Sequence, residues 1–273
     1  MPRTPITALP VEWRDSTGHD DLLLVEGQAD LATAVQVLER RVVLPEGDAA
    51  GGAVAVAGVR GLPVGDVDAL IVGLRVDRLG DRLIAEGACG RCSARVDVDF
   101  SLAAYLEHNR PRRTELATAK SEEPGWWQLR RYDTSFRVPT AGDVMAAGAA
   151  GAGARAALLS SCFRGDVSTR AIRTAERALA RIAPVLRTTV RGVCPDCGAE
   201  ADLDVDARGI ALAELGFLAG SVLDEVHLIA AAYHWSELAI LDLPSARRAA
   251  YAERVRITRA AAAPAFEEAV IGG

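Results

Sequence analysis

Two CxxC pairs, Cys89-Gly-Arg-Cys92 and Cys194-Pro-Asp-Cys197, stand far apart in this chain. A fold that uses both must bring the two turns together across everything that lies between them. Two cysteines three positions apart on a tight turn offer two thiolates to one ion. A second such turn completes a tetrahedron of sulfur about 2.3 Å from zinc. Small or turn-forming residues fill both turns, Gly90-Arg91 in one and Pro195-Asp196 in the other, and Gly198 follows the second. Each pair lies between two strand-like segments, the arrangement of a zinc ribbon. The spacing predicts one structural Zn2+ held by Cys89, Cys92, Cys194 and Cys197. Two readings stand beside it. One is buried or vestigial cysteines without metal. The other is a redox dithiol, which would open a helix after a strand, whereas both pairs here precede alternating, strand-like runs. The fifth cysteine, Cys162, sits in an apolar helical run and reads as a small core residue.

Half of the 273 residues are apolar and a quarter are charged, which is a globular composition. The length suits one large domain or two small ones. A net charge of −6 argues against a nucleic-acid partner, because such proteins carry a basic footprint. Residues 1–10 contain no apolar secretion core, and the nearest long apolar stretch, 144–160, is interrupted by Arg155. A cytoplasmic protein without a membrane partner is therefore expected. There, paired cysteines point to metal more than to disulfides. No phosphate-binding loop, nucleophile elbow or dinucleotide fingerprint occurs, and the four histidines show no metalloprotease spacing. The expectation is a protein that is not an enzyme.

The pass along the chain predicts an α+β fold, mainly helical, with two small zinc-knuckle β-hairpins joined in one tetracysteine site. Residues 1–55 form a poorly defined arm, irregular over 1–20, with a short helix over 30–41 and a glycine-rich loop over 45–56. Residues 56–108 hold a helix, whose apolar spacing covers 64–79, and the first knuckle. Residues 109–135 are a linker and strand. Residues 136–185 are a helical insertion. Residues 186–257 carry the second knuckle and the C-terminal helices, including one long helix from Asp206 to about His234, and 258–273 are a tail. Val96, Val98 and Phe100 alternate with charged residues after the first knuckle, and 199–205 alternate after the second. A strand, knuckle, strand and helix thus occur twice, near 82–107 and near 187–220, as a weak internal repeat.

The most specific stretch runs from Leu223 to Tyr251. It includes Glu225-Val-His227, Tyr233-His-Trp-Ser-Glu237, Leu243-Pro244, Arg248 and Tyr251. Upstream stand Phe136-Arg-Val-Pro-Thr-Ala-Gly-Asp143, Leu158-Leu-Ser-Ser-Cys162 and Cys194-Pro-Asp-Cys-Gly198. In this order, over about residues 60–257, the pieces resemble a family of T4-type phage baseplate hub subunits or hub-assembly factors, also found in phage tail-like contractile injection systems. The first knuckle departs from the family's more usual Cys-Pro-x-Cys-Gly, and residues 1–55 match nothing in it. The resemblance implies a non-enzymatic assembly chaperone for the baseplate hub, with a hub or spike protein as partner. A permanent baseplate subunit is the alternative it leaves open, and a zinc-ribbon nucleic-acid or regulatory protein is a second. Tyr233, His234, Trp235, Arg247, Arg248 and Tyr251 are the candidate partner-binding residues. Trp235 and Tyr251 serve as anchors, and Arg247, Arg248 and Arg254 form a basic helix face.

Overall fold

The computed structural model describes residues 3–45, 57–123 and 125–262. The loop expected over 45–56 and the end of the tail therefore fall largely outside the described residues. The chain is mixed α and β and divides into two compact units. Unit 1 comprises residues 1–14 and 28–215, and unit 2 comprises 15–27 and 216–273. Both units are discontinuous in sequence, so they cut across the consecutive segments drawn from the sequence.

Unit 1 is built around a duplicated helix–hairpin–helix. In the first copy, α3 (Val64–Leu79) leads to β3 (Arg82–Ala88), β4 (Arg95–Ser101) and α4 (Leu102–His108). In the second, α7 (Thr169–Ile182) leads to β9 (Arg187–Val193), β10 (Glu200–Asp206) and α8 (Ala207–Ala219), whose last residues belong to unit 2. Both hairpins are antiparallel, pairing Arg82 with Ser101 and Arg187 with Asp206 at their open ends. The same two positions cap the following helices. Ser101 Oγ accepts from the Ala104 N–H at 3.1 Å, and Asp206 Oδ1 accepts from the Gly209 N–H at 3.0 Å. The repeat read weakly from sequence is thus matched residue for residue in space.

Between the copies, unit 1 inserts a four-stranded antiparallel sheet in the order β5 (Ala117–Ala119), β6 (Trp126–Leu129), β7 (Thr134–Arg137) and β8 (Phe163–Gly165). Residues 126–138 read as one strand-like run and hold two strands, β6 and β7, whereas β5 falls in the expected linker and β8 at the end of an expected helix. Strands of three and four residues are too short to display a period. Helix α7 covers one face of the sheet, burying Ala171, Ala175, Ala178 and Ile182 against Ala117, Leu129 and Phe136. Helices α5 (Ala141–Ala149) and α6 (Ala154–Cys162) connect β7 to β8. Buried Cys162 ends α6, as its apolar setting predicts.

The segment Phe136 to Asp143 has a local physical explanation. Arg137 forks onto Asp143, with Nη1 to Oδ2 at 2.6 Å and Nη2 to Oδ1 at 2.7 Å. Asp143 also accepts from the Thr140 N–H at 2.8 Å, and its own N–H donates to Thr140 Oγ1 at 3.2 Å. This is a capping box that starts α5 directly after Pro139.

Residues 3–14, within the expected arm, are held against α3. Asp66 accepts from the N–H groups of Ile6 at 2.7 Å and Thr7 at 3.0 Å, which ties residues 3–14 to α3. Strands β1 (Glu12–Trp13) and β2 (Val42–Val43) pair, and α2 (Leu31–Arg41) packs on α3.

Helix α1 (Gly18–Glu26) belongs to unit 2, with α9 (Val222–Tyr233), α10 (Glu237–Leu241) and α11 (Ser245–Ala262). Ile229, Ile240 and Ala252 form the core of this bundle. The single helix expected from Asp206 to His234 is interrupted at Gly220-Ser221. Ala207–Tyr233 taken as one stretch is long and apolar enough to cross a membrane, with a mean hydropathy of 1.5. The sequence reading had found no such stretch. As folded it is two helices, and Glu225 in the second is buried in an ion pair.

Burial opposes the Asp143 carboxylate, but Arg137 and Thr140 outweigh it and hold the group below the usual range. Its stabilising effect is complete above the unfolded value near ~4 and fades as pH falls through the lower folded value. Asp143→Asn should therefore destabilise the protein at pH 7, and the gap from wild type should narrow below about pH 4. Denaturant titrations at both pH values check this.

Candidate metal centre

The two knuckles share one backbone design. In the first, the Cys89 N–H donates to Ala94 O at 2.8 Å and the Ser93 N–H to Cys89 O at 2.9 Å. In the second, Cys194 N–H to Ala199 O measures 2.9 Å and Gly198 N–H to Cys194 O measures 3.0 Å. Ser93 and Gly198 occupy the same position and both adopt left-handed backbone, with φ of 61° and 68°. Glycine reaches that region without a Cβ clash, whereas serine costs about 1–2 kcal/mol there. The first knuckle departs from the second at this position.

The hairpins pack against each other about an approximate two-fold axis, β3 beside β10 and β4 beside β9. Equivalent glycines permit the approach. A Cβ on Gly87 would lie 2.4 Å from Leu203, and a Cβ on Gly192 would lie 2.6 Å from Val98. Val96, Ala201 and Leu203 close over the junction together with Cys89 and Cys194.

This packing brings all four sulfurs within 4.8 Å of one another. Two close pairs run between knuckles, Cys89 to Cys197 at 3.7 Å and Cys92 to Cys194 at 3.6 Å. A tetrahedron with bonds of about 2.3 Å has edges of about 3.8 Å, whereas a disulfide needs about 2.05 Å. All five cysteines are free thiols. Cys89 and Cys194 are buried, Cys197 is half-buried and Cys92 is exposed.

The thiols do not titrate alike. The N–H groups of Arg91 and Cys92 stabilise the Cys89 thiolate and lower it to about 6. The Ala94 N–H favours the Cys92 thiolate, but the neighbouring thiols and burial outweigh it and push Cys92 up to about 12. Cys197 is also raised, with the Ala199 N–H and Cys92 outweighed by burial, Cys194 and Cys89. One negative charge among four close sulfurs resists the next. A divalent cation removes that conflict, so the donor set fits a soft dication such as Zn2+.

The surroundings are acidic. Asp97, Asp99, Asp202 and Asp204 point outward from the hairpins, partly paired with Arg82, Arg95 and Arg191.

The six candidate partner-binding residues lie in unit 2 and serve different ends. The rings of Tyr233, Trp235 and Tyr251 form one cluster with centroids 5.2–5.9 Å apart. Tyr233 and Trp235 are 40% and 38% exposed, and Tyr251 is half-buried. His234 ends α9 in left-handed backbone, with φ 55°. Arg247 is exposed, but Arg248 does not belong to that face. It is 3% exposed, with Nε on Glu225 at 2.8 Å and Nη2 on Asp21 at 2.6 Å. Ser221 and Ser245 complete the hydrogen bonding of those carboxylates. Arg248 is therefore the ionic core of unit 2, not part of a docking surface. The adjacent arginines at 247 and 248 gave no signal in sequence as to which faces inward; Asp21, the distant partner, was assigned to the arm.

No family model, curated protein or solved structure matches this chain.

Two outcomes follow from this geometry. Ser93→Gly should raise stability by about 1 kcal/mol, read as a higher denaturation midpoint with an unchanged slope. Arg248→Ala should cost about 3–5 kcal/mol by leaving two carboxylates buried without a cation, while Arg247→Ala stays within about 0.5 kcal/mol. Equal effects of the two arginine substitutions would refute the buried-core assignment.

Proposed function

We propose that this chain is a non-enzymatic assembly factor for the baseplate hub of a contractile phage tail-like particle, built around one structural zinc ion. The observation that carries the zinc reading is the four-sulfur cluster, with cross-knuckle separations of 3.6 and 3.7 Å. Cys89, Cys92, Cys194 and Cys197 would fill all four positions of a tetrahedral ion and leave none for substrate or water. Such a closed site supports folding rather than hydrolysis. Here it would clamp the two hairpins of the duplicated unit.

The hub role rests on the ordered segments that resemble the baseplate family. The folded chain gives several of them structural work. Arg137, Thr140 and Asp143 start a helix, Glu225 and Arg248 form a buried ion pair in unit 2, and the rings of Tyr233, Trp235 and Tyr251 pack against one another, two pairs of them edge to face. Such residues keep a scaffold rigid, as a protein that holds a client requires. The client would be a hub or spike protein. Tyr233, Trp235 and Arg247 remain exposed enough to touch it.

Metal analysis of the purified protein should give one zinc per chain. Cys194→Ser should lose the ion and lower Tm sharply, since a closed tetrathiolate site contributes on the order of 10 kcal/mol. Retention of both zinc and Tm in that variant would defeat the shared site. Acidification should release the ion, because protons compete for the thiolates as pH falls. Quantitative mass spectrometry of purified particles beside the lysate tests the role. An assembly factor is abundant in lysate and absent from particles, and a fixed stoichiometry in particles would make the chain a baseplate subunit instead.

A further inference from the structure

Among the described residues, helix α7 is the most sharply two-sided helix. Its inner face is Ala171, Ala175, Ala178 and Ile182, and its outer face carries Arg170, Arg173, Arg177 and Arg181. Steps of three and four residues align those arginines in one row, roughly 16 Å long at 1.5 Å per residue. All four are exposed, and none is in an ion pair among the described residues. Glu176, the acidic residue on that side, is engaged by Arg155 at 3.2 Å. The row is thus an unneutralised cationic strip on a chain whose net charge is −6.

An apolar groove adjoins it. The groove has a volume of about 420 Å³ and is lined by Val144, Leu179, Pro184, Val185 and Arg187, among others. A shallower depression of about 500 Å³ lies between Arg173, Glu176, Arg177 and Ala180. Ala180 lines both, so the part of the strip at Arg173 and Arg177 adjoins the apolar groove. Val185 is 46% exposed, an apolar side chain left to solvent at this groove.

We propose that this surface docks an acidic amphipathic segment of a partner protein. The apolar side chains of the segment would enter the groove, and a flanking row of carboxylates would meet Arg173 and Arg177. Arginine forks match carboxylates in this role. A nucleic acid fits less well, because the groove has no aromatic ring on which a base could stack. A membrane fits less well because its surface cannot enter a groove. The proposal rests on the reading of the chain as a client-holding protein and names the chemistry of the client.

The test uses the full-length, zinc-loaded protein. The probe is a fluorescein-labelled synthetic helix with leucines on one face and glutamates along its flank. Its lysine-for-glutamate twin, an oligonucleotide and anionic lipid vesicles are run in parallel. Saturable binding of the acidic helix is expected, with amide shifts mapping to residues 173–188. Both R173E/R177E and V185D should weaken it about tenfold with Tm and zinc content unchanged, and the first effect should shrink at high salt. Two results would each overturn the proposal: equal binding of the lysine twin, or affinity that survives in both variants. Tighter binding of oligonucleotide or vesicles, lost in R173E/R177E, would overturn it in favour of a polyanion. Particle composition, which tests the hub role, uses neither probe nor variants. Either idea can therefore fail while the other stands.

Discussion

Four sulfurs held within 4.8 Å are the constraint on which unit 1 turns. Thiols this close cannot all ionise without a cation, and the opposed behaviour of Cys89 and Cys92 expresses that conflict. The geometry does not come from the CxxC turns alone. It depends on two hairpins docked by pseudo-symmetry, on Gly87 and Gly192 at the contact, and on Val98 and Leu203 seated against them. A methyl group at either glycine would meet a side chain from the opposite hairpin. The thiol site and the hairpin interface are therefore a single structure.

Ion pairs extend the same logic. Arg208 at the start of α8 reaches Asp68 of α3 at 2.7 Å, and Glu214 further along α8 receives Arg75 of α3 at 2.6 Å. Asp68 also accepts from the Leu186 N–H, just before β9. Burial raises the Asp68 carboxyl despite Arg208 and that N–H, as expected when a charge is taken from water. The first helix of one copy is thus latched to the last helix of the other. The knuckles and these buried pairs hold the two copies together from opposite ends of the hairpins.

Much of this was legible in the chain. The apolar spacing of α3 and the left-handed Gly80 after it fixed its limits, and period-two alternation marked β4 and β10. The four cysteines pointed to one site because their spacing has few other uses. What stayed hidden has physical causes. The strand-like run over 126–138 was legible, but β5 and β8, of three residues each, are too short for periodicity, and β8 pairs with β7 across two intervening helices. Gly220 did not register as a break, because the apolar stripe continues on both sides of it. The structural use of Arg248 depends on Asp21, which is remote in the chain and lies on a helix without a strong two-sided pattern. The equivalence of Ser93 and Gly198 emerges only from backbone conformation.

The groove beside α7 stands at the open ends of the hairpins, away from the knuckles. The groove takes its walls from α3, α5, α7 and the approach to β9, which span both copies and the inserted sheet. Closing a loop of that length costs only slightly more than closing a short one, since the entropic penalty grows with the logarithm of length. A metal joining Cys89 and Cys92 to Cys194 and Cys197 would fix the hairpin tips, while Asp68, which accepts from the Leu186 N–H, ties α3 to the approach to β9 beside the groove. In a compact zinc finger the ion folds one short continuous stretch of chain. Here it would join two hairpins from distant parts of the chain.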